Sequence, residues 1–106
     1  MILNEIKIKN IFKEDDKKGQ FLIKVLNDMV NHLNPSRIEG IYINPYCIQH
    51  DYLRGIAYID VEFKGKDTDS EFNILFDAET KLRDTDIDCV ISPNDVDGHY
   101  NYIKLL

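Results

Sequence analysis

Residues 20–33 constrain this chain more than any other stretch. Phe21, Leu22, Val25, Leu26, Met29, Val30 and Leu33 recur at the 3.6-residue period of a helix and form one apolar stripe. Lys24, Asn27, Asp28, Asn31 and His32 fill the other side. Such a stripe must be buried, so the rest of the chain has to supply an apolar face against it. Asp15 or Asp16 is placed to cap this helix, because a short carboxylate accepts from the orphan N–H groups of a first turn. Asn34-Pro35 stops it, since a residue before proline is pushed out of the α region.

After the helix the period changes to two, which predicts strands. Residues 38–44 read as a short strand. Residues 55–64 read as a longer one, with Ala57, Ile59, Val61 and Phe63 on one face and Tyr58, Asp60, Glu62 and Lys64 on the other. Phe72, Ile74 and Phe76 alternate with polar residues and read as the next strand, joined to 55–64 in a hairpin. Residues 84–92 alternate again: Ile87, Cys89 and Ile91 face one way, and Asp84, Asp86, Asp88 and Val90 the other. Residues 2–8 read as a first strand and HYNYIKLL, at the end, as a last one. The expected class is α+β, a two-layer sandwich of one amphipathic helix on a mostly antiparallel sheet of about five to six strands. A chain of 106 residues holds one such core, so residues 1–106 are read as a single domain.

The net charge is −6, and the acidity is concentrated: residues 60–97 carry twelve acids against four bases. An acidic balance argues against nucleic acid and anionic membranes as partners, since both select a positive surface. The expected polar sheet face gathers Asp60, Glu62, Asp84, Asp86 and Asp88. Aspartates two apart on a strand stand about 7 Å from each other. A row of this kind suits either a basic protein partner or a hard divalent cation. Tyr46 and Tyr52, in the connection over residues 44–54, are candidate interface anchors, because tyrosine offers a large contact area at low entropy cost.

Several other chemistries lack their parts. TDIDCVI, residues 85–91, resembles the Asp-x-Asp strand of minimal nucleotidyltransferases, which would imply metal-dependent transfer chemistry. However, DAETKLR stands upstream, where that family has a Gly-Ser turn to admit phosphate. DVDG at 95–98 fails as an EF-hand fragment, because Pro93 and Lys104 fall where Asp and a bidentate Glu are required. His32, His50 and His99 are spread over the expected helix, loop and turn, and no Cys/His set has zinc spacing. There is no Gly-rich phosphate loop, and no cofactor is expected. Two cysteines, no signal-like segment and no apolar run near 20 residues lead to an expectation of a cytoplasmic protein.

These observations favour a binding module over an enzyme. The expected function is a small inhibitor or immunity-type protein that neutralises a basic partner such as a nuclease toxin. Asp60, Glu62, Asp84, Asp86 and Asp88 would supply charge, and Tyr46 and Tyr52 packing. The alternative is a small divalent-metal-dependent enzyme using the strand carboxylates. An edge strand would also be open to pairing with a second copy.

Overall fold

A computed structural model describes residues 10–95 and 97–106. The strand expected over residues 2–8 lies outside the described residues. The element order is α1 (Lys17–Asn31), β1 (Ile38–Ile43), β2 (Ile48–Gln49), β3 (Tyr52–Leu53), β4 (Ala57–Phe63), α2 (Asp69–Arg83), β5 (Cys89–Pro93) and β6 (Ile103–Lys104). The fold is α+β, with two helices, a mixed four-stranded sheet of order β5-β4-β1-β6 and a separate two-stranded sheet, β2-β3.

Of the apolar stripe, Leu22, Val25, Leu26, Met29, Val30 and Leu33 lie in the core and Phe21 is half-buried, while Ile23, outside the stripe, is buried as well. Asp16 is the N-cap. One carboxylate oxygen accepts from Gly19 N at 3.2 Å, and the other accepts from Leu53 N at 2.6 Å. The cap therefore also ties α1 to β3. Gly19 is required by close approach, since a Cβ there would lie 2.5 Å from Asp16 Oδ2 and 2.6 Å from the Phe12 ring.

The connection over residues 44–54 is ordered by a tight hairpin. His50 and Asp51, both at positive φ (53° and 67°), join β2 to β3. Positive φ at both central residues matches the right-handed twist of the strands they join.

Residues 72–76 are helical, which corrects the expected strand and hairpin. Thr68 caps α2 in a reciprocal box: its side chain accepts from Glu71 N, and Glu71 reaches back to Thr68 N. Such a box satisfies two orphan donors at once and starts a helix. Asp69 and Glu71 in the first turn and Lys81 and Arg83 in the last complement the helix dipole. The buried residues are Glu71, Leu75, Ala78 and Leu82, at helical spacing. Phe72 and Phe76, which carried the strand pattern, are exposed on the opposite side. The described residues thus hold two α-helices where the sequence predicts one.

A helix between β4 and β5 changes their pairing. β5 lies beside β4 and parallel to it, with Ala57 opposite Cys89 and Asp60 opposite Ser92. Parallel neighbours need a crossover, and α2 supplies it. β1 pairs antiparallel with both β4 and β6. The sheet is therefore mixed.

Ala57, Ile59, Val61 and Phe63 of β4, Ile41 and Ile43 of β1, and Cys89 and Ile91 of β5 join both helices in one buried cluster. Arg37 fastens the start of α2. Its guanidinium donates to Glu71 at 3.0 and 3.1 Å, to Lys66 O at 2.9 Å and to Lys64 O. The outer edge of β5 is covered by α2 side chains. Glu79 accepts from Ile91 N at 2.7 Å, and Arg83 donates to Cys89 O at 2.9 Å.

Candidate functional site

The expected aspartate row is not a row. Asp84, Asp86 and Asp88 precede β5 in the turn that leaves α2. That turn closes by Ile87 N to Leu82 O and Asp86 N to Arg83 O, both 3.1 Å, with Asp86 at φ 59°. This is the Schellman ending of a helix, with buried Leu82 and Ile87 as its apolar pair. Aspartate tolerates the left-handed position better than most residues, so the motif forms without its usual glycine. All three aspartates are exposed on this turn. Beside it lies an apolar shoulder: Ile56, Tyr58 and Val90 line a shallow groove with Asp88 and Arg83. Ile56 and Tyr58 are 45% and 44% exposed.

Asp60 and Glu62 are separated from that turn. They do lie on the sheet face opposite the helices, as the alternation predicted. But Asp60 is 1% exposed, where a solvated face was expected. The cause is the segment between β5 and β6, which brings Asp95 and His99 onto this face. Asp95 N donates to Asp60 Oδ1 at 2.8 Å. His99 Nε2 lies 2.9 Å from Asp60 Oδ2 and 3.2 Å from Glu62 Oε2. Facing two carboxylate oxygens, Nε2 must carry its proton here, because a bare ring nitrogen would set lone pair against lone pair.

The imidazole is held from its flat side as well. The Tyr42 ring stacks on it, with centroids 3.6 Å apart and planes within 6°, and Tyr102 meets its edge at 6.5 Å. Tyr42 fits there because Gly40 leaves space: a Cβ on Gly40 would lie 2.7 Å from the Tyr42 ring. Burial, and then the charges of Glu62 and Asp60, raise the Tyr42 hydroxyl above its ordinary pKa of 10.0. Burial raises Tyr102 in the same direction, with Asp60 the next cause.

The two candidate tyrosines differ. Tyr46 is 78% exposed. Tyr52 is half-buried, and its hydroxyl donates to the Asp15 carboxylate at 2.8 Å. That bond raises the Tyr52 pKa, and Lys13 and Arg54 each lie 5.7 Å from the ring centroid. Tyr52 is thus engaged within the chain. Cys47 and Cys89 are free and buried, and desolvation pushes both thiols up to about 11. Neither is poised as a nucleophile. His32 caps back onto Asp28 O at 2.7 Å, and His50 sits at the hairpin tip.

Sequence reasoning missed His99 as a partner of Asp60 and Glu62. No local spacing links a histidine to a carboxylate 39 residues away. Among the described residues, no helix is long and apolar enough to cross a membrane. Comparisons with protein-family models, with curated proteins and with solved structures find no match for this chain.

Proposed function

We propose that this chain is a small cytoplasmic binding protein of the inhibitor or immunity type, which neutralises a basic protein partner such as a nuclease toxin. The observation that carries the reading is one short turn with three exposed aspartates, Asp84, Asp86 and Asp88, flanked by exposed Ile56 and Tyr58. Arg83 lies beside this turn and the Lys18 ammonium donates to Asp86 O at 3.2 Å, so the three carboxylates leave it net negative, and such a charge steers an oppositely charged partner and speeds encounter. An adjacent apolar shoulder can then be desolvated to hold the complex. Tyr46 remains a candidate anchor through its exposure. Asp60 and Glu62 leave the charge set, because they are engaged by His99.

The test begins with capture on immobilised protein from the source lysate, followed by kinetics with the purified partner. Replacing Asp84, Asp86 and Asp88 together by Asn should lower the association rate about tenfold at low salt and flatten its salt dependence. Tyr58→Ala should instead speed dissociation. A partner whose association rate and salt slope are the same for wild type and the triple variant would refute the reading.

A further inference from the structure

Asp60, Glu62 and His99 present three donor atoms that all lie within 4.8 Å of one another. They come from β4 and from the segment before β6, so the tertiary fold assembles them. We propose that these three side chains bind one first-row divalent cation, with Zn²⁺ the best match, and that the ion pins residues 97–102 across the open sheet face. This inference is independent of the acidic turn and its partner.

The donor chemistry selects the ion. One imidazole nitrogen with two carboxylate oxygens suits a borderline cation, whereas Mg²⁺ and Ca²⁺ prefer oxygen alone. The spacing also fits. Ligand atoms about 2.1 Å from a shared ion stand about 3.0–3.4 Å apart. The observed distances from Nε2 to the two carboxylates are 2.9 and 3.2 Å. The remaining closure falls on Glu62, whose side chain is 39% exposed and free to adjust. The Nε2 atom faces a carboxylate oxygen of Asp60 and one of Glu62 at once. An ion in that place would engage all three groups.

Contacts beyond the three donors hold two of them in place. The Asp95 N–H fixes Asp60 Oδ1 and leaves Oδ2 turned to the site. The Tyr42 stack fixes the imidazole plane. Apart from His99, no cation pairs with Asp60 or Glu62 among the described residues, the Lys104 ammonium lying over the Tyr42 ring at 6.0 Å. Three protein ligands leave at least one coordination position open on the exposed side of Glu62.

Isothermal titration of the full chain with ZnCl₂ and MnCl₂, with MgCl₂ as control, tests this. Saturation at one Zn²⁺ per chain is expected. His99→Ala should weaken binding at least a hundredfold and Glu62→Gln at least tenfold, with circular dichroism unchanged. The triple Asn variant of Asp84, Asp86 and Asp88 should bind as wild type does. Co²⁺ should give visible ligand-field bands without a thiolate charge-transfer band, and Zn²⁺ should slow proteolysis within residues 97–102. No saturable binding, equal binding by His99→Ala, or a thiolate band that moves the ion to Cys47 or Cys89 would overturn the assignment. Since association with the basic partner is measured without added metal, failure here leaves that result standing, and the reverse also holds.

Discussion

Gly40→Ala should destabilise the protein through a residue that bears no functional group. The added Cβ would meet three atoms of the Tyr42 side chain at 2.7, 2.7 and 2.9 Å, closer than carbon contacts allow. The end of a tyrosine can swing, so the ring moves rather than the backbone. Moving it loses the stack on His99, worth about 1 kcal/mol. It also leaves the ring off its preferred rotamer, at a cost of about 0.5–1.5 kcal/mol. Against this, alanine restricts the unfolded chain and returns about 0.4–1 kcal/mol. The net expectation is a loss of about 0.5–2 kcal/mol, read as a lower urea midpoint with an unchanged slope. The control is the same substitution in a Tyr42→Ala background. There the obstruction is gone, and Gly40→Ala should be neutral or stabilise by about 0.5 kcal/mol. The difference between backgrounds isolates the Tyr42 term. Equal costs in both backgrounds would show that Gly40 is needed for its backbone and not for the ring above it.

Three further outcomes follow from the same geometry. Asp16→Ala removes the α1 cap and orphans the buried Leu53 N–H, so denaturant unfolding should show a loss of about 2–4 kcal/mol; a loss under 1 kcal/mol would mean that water replaces the carboxylate. Glu71 is held below its ordinary pKa of 4.5, chiefly by its hydrogen bonds to Arg37. Its contribution is therefore present above 4.5 and fades as the pH falls through the lower folded value. Glu71→Gln should flatten the dependence of Tm on pH below that point, and parallel wild-type and variant curves would refute the coupling. Finally, both thiols are buried with pKa values of about 11, so a disulfide reagent at pH 8 should react with neither Cys47 nor Cys89 until denaturant is added. Rapid reaction of the native protein would mean that this part of the core opens.

The sequence alone determined α1 and β4, because each repeats one period over a full element and has one face to bury, and it placed β1 although a register shift between Ile38 and Gly40 interrupts that strand's alternation. It also placed Asp60 and Glu62 on the face away from the helix, since strand geometry admits no other arrangement once Ile59 and Val61 are inside. It did not reveal α2. Phe72 and Phe76 share a face in a helix as well as in a strand, and the capping box of Thr68 and Glu71 decides between them. The Thr68-x-x-Glu71 spacing stands in the sequence, but the alternation of Phe72, Ile74 and Phe76 beside it gives a competing strand pattern. At Asp84–Asp88 the alternation predicts a strand, and the left-handed residue that ends the helix is Asp86, with no glycine to mark it.

Only the tertiary structure decided the rest. Once α2 is a helix, β5 must return parallel to β4, and the three aspartates move from the sheet face to an exposed turn. The chain between β5 and β6 then has to cross the open face, and it brings His99 to Asp60 and Glu62. Periodicity describes which face of an element is buried. It carries no information about which distant segment will cover the other face, because that depends on strand order and direction, and these emerge only when the whole chain packs.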